Sequence, residues 1–209
     1  MGRNQLTIAA PVEISGKGLH LGLMAHMRFL PAPVATGLRF RLTKGKPVDI
    51  PVDISCIHPK LLRTALSNNG AAVETVEHAL AAAYGLGISN MIIELDEIEP
   101  PACDGSALEF CRSILSVGLK DQGVEKDTLV IREPFSLQAE EGVSIAVFPN
   151  GKGLSVSFSL AGEGLPTQTV HYHHTRENFL RYVAPARTFC REFEVEKLRG
   201  LPEVGEGAN

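Results

Sequence analysis

The order of strand-like and helix-like segments is the feature of this chain that most constrains its fold. Alternating apolar residues in "AHMRFLPA" and "GLRFRL" predict half-buried strands, and a helical apolar stripe follows over residues 73–86. After a polar stretch the same order returns, with "TLVIREPFSLQ", "GVSIAVFP" and "GLSVSFSL" and then a helix around residues 176–182. Runs of strands followed by helices, twice over, predict an α+β protein rather than a doubly wound parallel sheet.

The polar stretch "LKDQGVEKD", residues 119–127, shows neither the strand period nor the helix period, and it predicts a domain boundary. We therefore expect a first α+β domain over residues 1–122 and a second over residues 123–209. The final stretch "RGLPEVGEGAN" has turn residues and no apolar period, so we expect the second domain to be incomplete.

The helix over residues 73–86 is the clearest single element. Gly85 and Gly87 are predicted to end it, and Gly118 is predicted to cap a second helix in "DGSALEFCRSILSVG". The apolar residues of the first helix recur at i, i+3, i+7, i+10 and i+11, which predicts one buried face formed by Val73, Val76, Leu80, Ala83 and Tyr84.

The composition excludes several classes of protein. With 44% hydrophobic residues, 21% charged residues and a mean hydropathy of +0.06, the chain is predicted to fold. A net charge of -4 without a basic block argues against a nucleic-acid partner. No apolar run approaches the roughly 20 residues of a transmembrane helix. The scattered cysteines indicate reduced thiols, so we expect a cytoplasmic protein; they are Cys56, Cys103, Cys111 and Cys190.

The segment "ETVEHAL" puts a carboxylate and an imidazole side by side, as Glu77 and His78. At about 100° of rotation per residue, Glu77 falls at the edge of the predicted apolar stripe, and His78 points away from it. A carboxylate close to a buried seam is suited to a general base, because desolvation raises its pKa. A solvated glutamate beside a partly exposed histidine is the alternative, and the H-E-x-x-H pattern of zinc proteases is absent.

A second candidate for metal binding is "HYHH", residues 171–174. His171 and His173 would share one face of a strand, and Glu163 or Glu177 would be the acidic ligand. Histidines clustered on an exposed strand without metal are the alternative. The glycine-rich stretches "SGKGLH" and "NGKGLS" do not match the phosphate-binding pattern G-x-x-x-x-G-K-[ST], and no helix is predicted after them, so we interpret them as hairpin turns.

Several motifs occur together in an order typical of one enzyme family. They are "SGKGLHLG", "PAPVATGLRFR", "TVEHALAAAYGLGISNMIIEL", "EPPACDGSALEF" and "ARTFC". Together they closely resemble the zinc-dependent UDP-3-O-acyl-N-acetylglucosamine deacetylases, which catalyse the committed step of bacterial lipid A synthesis. The resemblance covers the first predicted domain almost throughout, whereas residues 125–185 match only in general pattern before "ARTF".

The resemblance implies two domains, each a two-layer α/β sandwich, with the active site between them. It implies a cytoplasmic bacterial enzyme that removes the N-acetyl group from a UDP-linked acylated amino sugar. Glu77 would be the general base, His78 one ligand of a catalytic Zn²⁺, and Thr188 of "ARTF" a donor to the oxyanion. A zinc ion lowers the pKa of its bound water toward about 7. His20 and Asp104 lie in matching motifs and are expected to support the site.

The chain departs from the family pattern in the remaining ligands. The family's other two zinc ligands lie in an H-K-x-x-D motif, and a further histidine acts as general acid; none of these occurs here. Because catalytic zinc has three protein ligands as a rule, we expect an N-terminal portion of a deacetylase, inactive by itself. A short non-catalytic paralogue with a binding or regulatory role is the alternative. A rebuilt metal site, with His78 joined by His171, His173 or His174, is the third hypothesis.

Overall fold

The computed structural model describes residues 4–139, 142–151, 153–162 and 165–189 of the chain. Ten strands come first: β1 (Asn4–Ile8), β2 (Val12–Lys17), β3 (Met24–Pro31), β4 (Leu38–Leu42), β5 (Val48–Pro51), β6 (Ile57–His58), β7 (Ala65–Asn68), β8 (Ala71–Glu74), β9 (Met91–Leu95) and β10 (Leu119–Glu125). Four follow: β11 (Phe135–Gln138), β12 (Ser144–Val147), β13 (Ser155–Gly162) and β14 (Leu165–His173). The helices are α1 (Glu77–Leu86), α2 (Leu108–Val117) and α3 (Arg176–Asn178), and α3 continues as a π-helical turn over Phe179–Val183. None of these helices is long and apolar enough to cross a membrane.

The largest sheet has five strands in the order β2-β3-β9-β4-β5. All its neighbours are antiparallel except β4 and β9, which run parallel. Strands β6, β7 and β8 form a second sheet, β1 pairs with β10, and β11–β12 and β13–β14 form two separate ribbons. Mixed, mainly antiparallel sheets with a few helices confirm the predicted α+β class. The proline in "VDIPVDIS" predicts an edge strand, and β5 in this stretch does lie at the edge of the sheet.

Alternation along the central strands builds the core. In β3 the side chains of Ala25, Met27 and Phe29 are buried while their neighbours are exposed, as expected for a strand with one face on a core. Phe29 meets Phe110 of α2 edge to face, with ring centroids 6.3 Å apart. Helix α2 ends at Gly118, whose φ of 78° confirms the predicted glycine cap.

Helix α1 begins four residues later than the sequence pattern predicted. Val73 and its neighbours belong to β8, where Val73 pairs with Leu66, and Thr75 then has a φ of 55°. A residue in the left-handed conformation cannot be part of a right-handed helix, so α1 begins only after it, at Glu77. The strand pairing therefore overrides the helical spacing of Val73 and Val76.

The buried face of α1 is also rotated from the predicted one. Tyr84, expected in the apolar stripe, is 57% exposed. The buried positions are the small residues and one leucine, namely Ala79, Ala82, Ala83, Gly85 and Leu86. Because alanine and glycine are only weakly apolar, the larger Leu80 and Tyr84 shifted the predicted stripe to one side, although its Val73, Val76 and Ala83 are buried and Leu80 packs against the core.

The polar stretch that predicted a domain boundary is a strand over most of its length. β10 pairs antiparallel with β1, with Ile8 opposite Leu119 and Asn4 opposite Glu125. Because both faces of β10 are largely exposed, it lacks the apolar alternation that would have revealed it. β10 runs through the predicted 122/123 boundary, and the division into two domains stays a prediction.

The segment after β14 returns to the core and docks against α1 and α2. Phe179 is 4% exposed and its ring covers Gly85, where even a methyl group would overlap the ring. The Arg176 guanidinium donates to the Leu86 carbonyl at 3.0 Å, and the Ala107 amide donates to the Ala184 carbonyl at 3.0 Å. These contacts bring the following residues beside the first turn of α2.

The two ribbons β11–β12 and β13–β14 contribute almost nothing to the core. The β11–β12 pairing is regular, and β13–β14 shifts register only between Leu160 and Gly162. Most of the described side chains of both ribbons are nevertheless exposed, including Leu137, Ile145, Phe158 and Val170. "NGKGLS" links β12 to β13, which pair with different strands, so the hairpin prediction was wrong for that stretch. It was right for "SGKGLH", which joins the paired strands β2 and β3.

We expect Phe179→Ala to lower the free energy of unfolding by about 3–5 kcal/mol, because it removes a buried ring from the face of α1. Phe148→Ala is the matched control: Phe148 is 68% exposed, so its truncation should change stability by no more than about 0.5 kcal/mol. Urea unfolding followed by far-UV circular dichroism measures both. Equal losses for the two variants would contradict the docking of residues 176–184.

Candidate active site

Glu77 is the first residue of α1, and its carboxylate is fixed by the backbone of a neighbouring segment. Glu77 Oε2 accepts a hydrogen bond from the Thr64 amide at 3.1 Å, and the Thr64 carbonyl accepts from the Val76 amide at 3.3 Å. The side chain is half-buried. A negative charge in the first turn is also favoured by the helix dipole. Glu77 is therefore held at the start of the helix in one orientation.

His78 and Thr188, 110 residues apart in sequence, come into contact. Thr188 Oγ1 lies 3.3 Å from His78 Nε2. The Thr188 amide donates to the Gly105 carbonyl at 3.1 Å, and Arg187 Nε donates to the Asp104 carbonyl at 2.7 Å. The turn in "DGS" thus holds "ART" against α1. All three residues singled out from the sequence as catalytic or metal-binding, Glu77, His78 and Thr188, lie at this end of α1.

Asp104 bonds within its own turn. Its carboxylate accepts from the Ser106 hydroxyl at 2.7 Å and from the Ser106 amide at 3.1 Å. The bond from the Ser106 hydroxyl lowers the pKa of Asp104, and the bond from the amide adds to this. Ser106 Oγ in turn accepts from the Leu108 amide at 3.1 Å, at the first residue of α2. Asp104 therefore shapes the turn whose carbonyls hold Arg187 and Thr188.

Glu99 is the most important residue of the site that the sequence did not single out. It is 2% exposed, and its carboxylate accepts from the His20 amide at 2.9 and 3.1 Å and from the Leu21 amide at 2.9 Å. It also accepts from the Thr75 hydroxyl at 2.8 Å. Glu99 closes the acidic run "ELDEIE", so its charge did not distinguish it, and the two prolines that follow were the only signal in the sequence.

Gly18 leaves the room that this carboxylate occupies. A Cβ at Gly18 would overlap Oε2 of Glu99, and Gly18 itself donates its amide to the Leu23 carbonyl at 2.9 Å. The second glycine of "SGKGLH" is thus required by the close approach of Glu99, a role unrelated to phosphate binding.

His20 is buried beside this carboxylate. Its side chain is 9% exposed, and Nδ1 has no hydrogen-bond partner among the described residues. Burial lowers the pKa of the His20 imidazole below its ordinary value of 6.5, although the Glu99 carboxylate opposes this shift. His20 is therefore neutral in the folded protein at neutral pH.

A buried ion pair is formed by Glu74, the residue directly before Thr75. Glu74 is 7% exposed and meets Arg63 Nε at 2.7 Å and Lys60 Nζ at 3.0 Å. Burial raises the pKa of the Glu74 carboxyl, but hydrogen bonds from Lys60 and Arg63 outweigh it and leave the pKa below its ordinary value. The sequence pattern placed Glu74 in the helix, and its partners could not be paired without the fold.

A narrow cleft opens between these elements. Its walls come from the loop after β2, the start of α1 and the segment that precedes α2, and it is lined by Leu19, Thr75, His78, Pro100, Pro101, Ala102, Gly105 and Phe110. The lining is mainly apolar, with His78 as its one titratable side chain.

The histidines of "HYHH" belong to a different part of the structure. His171 and His173 share one face of β14, where they bond to Ser157 and Ser155 across the ribbon at 2.9 and 3.0 Å. Among the described residues, no three His, Cys, Asp or Glu side chains are placed to hold a metal ion. The rebuilt metal site with His78 is therefore not formed there, and Glu163 lies outside the described residues.

The chain matches a family sequence model, LpxC: UDP-3-O-acyl N-acetylglycosamine deacetylase, over residues 5–208. The UDP-3-O-acyl-N-acetylglucosamine deacetylase of Saccharophagus degradans is 37% identical over 215 residues, which cover 98% of this chain and 69% of that protein. The enzyme of the same name from Solibacter usitatus is 32% identical over 199 residues, with 95% and 67% covered. A bifunctional enzyme LpxC/FabZ of Chlorobaculum tepidum is 36% identical over 198 residues, 93% of this chain and 42% of that protein.

The chain therefore belongs to the UDP-3-O-acyl N-acetylglycosamine deacetylase family. It spans about two thirds of the length of the two single-function relatives. The zinc that the resemblance implies does not fit the described residues alone. His78 is the one predicted ligand and its Nε2 faces Thr188, and no second or third ligand completes a site within residues 4–189 as far as the structure describes them.

The buried His20 predicts a pH dependence of stability. Its folded pKa lies below 6.5, so the unfolded chain binds more protons as the pH falls through that value, and stability falls with it. We expect His20→Gln to flatten the loss of unfolding free energy between about pH 7.5 and 5.5, by up to about 1.4 kcal/mol per pH unit. Urea unfolding across this range measures it. His58→Gln, at an exposed histidine, should keep the wild-type slope, and an equal change in both variants would refute the assignment.

Proposed function

We propose that this chain supplies the carboxylate and imidazole half of a deacetylase site. The reaction is zinc-dependent hydrolysis of the N-acetyl group of UDP-3-O-acyl-N-acetylglucosamine, the committed step of lipid A synthesis. The observation that carries the proposal is the contact of Thr188 Oγ1 with His78 Nε2 at 3.3 Å, beside Glu77, in a member of this family. The free cysteines Cys56, Cys103 and Cys111 support a bacterial cytoplasmic location.

Glu77 acts as the general base in this proposal. Amide hydrolysis adds the oxygen of water to the carbonyl carbon, and a carboxylate beside that water accepts its proton. The C–N bond then breaks, and the leaving amine takes up a proton. Glu77 suits this role because the Thr64 amide holds Oε2 and fixes the orientation of the carboxylate at the end of α1.

Thr188 stabilises the negative charge on the carbonyl oxygen. Its hydroxyl can turn from His78 and donate to an oxyanion formed next to the imidazole. The Arg187 side chain and the Thr188 amide donate to carbonyls of the "DGS" turn and so hold the hydroxyl in advance, which leaves little reorganisation during the reaction. Loss of such a donor costs about 2.7–4 kcal/mol of transition-state stabilisation in a comparable oxyanion hole.

His78 is proposed as one zinc ligand, and the described residues supply no others. The 209-residue chain should therefore bind zinc weakly and show little deacetylase activity. Metal analysis of the purified chain after dialysis is expected to give well under one zinc per chain. One tightly held zinc per chain, lost in His78→Ala, would overturn this part of the proposal.

The catalytic roles can be tested in a chimera. Residues 5–208 of this chain replace the matching part of the Saccharophagus degradans deacetylase, and acetate release from UDP-3-O-acyl-N-acetylglucosamine is measured. The chimera should be active. Glu77→Gln should lower kcat at least about 100-fold, because it removes the base. Thr188→Val should lower it about 100-fold or more.

Glu109→Gln is the matched control, because Glu109 pairs with Arg112 on the exposed face of α2. It should change kcat by no more than about twofold, as for other surface substitutions. A folded chimera without activity would contradict the proposed function, and full activity in Glu77→Gln would contradict the proposed base.

A further inference from the structure

We propose that Glu99 is the positioning residue of this site: it ties the start of α1 to the loop after β2 and so fixes the first turn of the helix, which carries Glu77 and presents His78 to the cleft. The inference rests on the proposed function of those two residues. Glu99 contacts neither of them through a hydrogen bond, and it acts through Thr75.

The carboxylate of Glu99 joins two walls of the cleft. Oε1 accepts from the Thr75 hydroxyl at 2.8 Å and the His20 amide at 2.9 Å, and Oε2 accepts from the Leu21 amide at 2.9 Å. Thr75 precedes α1, while the two amides belong to the loop that carries Leu19 into the cleft. A buried charge needs this many donors, so the three partners are held together as a set.

Thr75 decides where α1 begins. Its φ of 55° is a strained value for a β-branched residue, and such a conformation persists only where its surroundings impose it. The hydroxyl bond to Glu99 is the side-chain contact that does so. The next residue, Val76, is the N-cap, and its carbonyl accepts from the Leu80 amide at 3.0 Å. A change at Thr75 would therefore move Glu77 and His78 first.

The segment that contains Glu99 is itself hydrogen-bonded to the two walls of the cleft that its carboxylate joins. The Glu74 amide donates to the Ile98 carbonyl at 2.8 Å, and the Ala102 amide donates to the Lys17 carbonyl at 2.8 Å. Gly18 leaves the space for the carboxylate between them. These backbone bonds and the space at Gly18 hold the Glu99 side chain in place, and the side chain in turn holds Thr75.

Two variants of Thr75 isolate the hydroxyl. Thr75→Ser and Thr75→Ala both remove the β-branch, and they differ from each other only in the hydroxyl that meets Glu99. We expect the Leu80 amide to exchange with solvent roughly 10-fold faster or more in Thr75→Ala than in Thr75→Ser, as for loss of a hydrogen bond to a charge. The Ile88 amide, bonded to the Ala83 carbonyl at the far end of α1, should exchange equally in both.

A second measurement reports directly on the site. The nuclear Overhauser effect between the His78 ring and the Thr188 methyl should be kept in Thr75→Ser and weakened in Thr75→Ala, in samples that circular dichroism shows to be folded. Glu99→Gln should speed exchange at both Leu21 and Leu80, because one amide oxygen cannot serve all the donors. This variant also keeps the test usable if Thr75→Ala does not fold.

Equal Leu80 exchange in the two Thr75 variants, or equal acceleration at Leu80 and Ile88, would overturn the positioning role and leave Glu99 a general stabiliser of the fold. These readouts need neither zinc nor substrate. If they come out as expected while the folded chimera shows no activity, Glu99 still fixes the start of α1 and the proposed function fails.

Discussion

The buried carboxylate of Glu99 is the interaction on which the geometry of the site depends. Burying a lone carboxylate is strongly unfavourable, and here the amides of His20 and Leu21 and the hydroxyl of Thr75 compensate for the lost water. Hydrogen bonds to a charged group contribute about 1.5–3 kcal/mol each. Because the donors come from two separate stretches of the sequence, the side chain of Glu99 joins the glycine-rich loop and the start of α1 to its own segment before α2.

The contact between His78 and Thr188 depends on a second constraint, the docking of residues 176–184. Phe179 lies directly on Gly85, so the absence of a side chain in α1 sets how closely this segment approaches. The carbonyls of Asp104 and Gly105 then hold the two residues that follow in "ART". Small residues on α1 and backbone bonds from the "DGS" turn thus bring a hydroxyl from 110 residues away to the imidazole.

The sequence predicted the α+β class, the edge strand β5 and the glycine cap of α2, because each follows from a local pattern. It also singled out Glu77, His78 and Thr188, through motifs rather than through the helical wheel. It could not predict Thr75, whose left-handed φ is imposed by a partner 24 residues away. The buried face of α1 was missed for a related reason. This face consists mainly of small residues, and only the packing of neighbouring elements against the helix shows which face is covered.

The two parts of the described chain differ in how well they are packed, and this difference affects how a complete site would form. Helices α1 and α2 share one core with the strands from β1 to β10 other than the exposed β6, and this core also includes Phe179 and Ala184. The ribbons β11–β12 and β13–β14 remain largely exposed. Glu77 and His78 belong to the well-packed part, where Thr64, Thr75 and Glu99 fix the first turn of α1. Further ligands would therefore meet a carboxylate and an imidazole already in position, and the conformational entropy of ordering these two groups would already have been lost on folding.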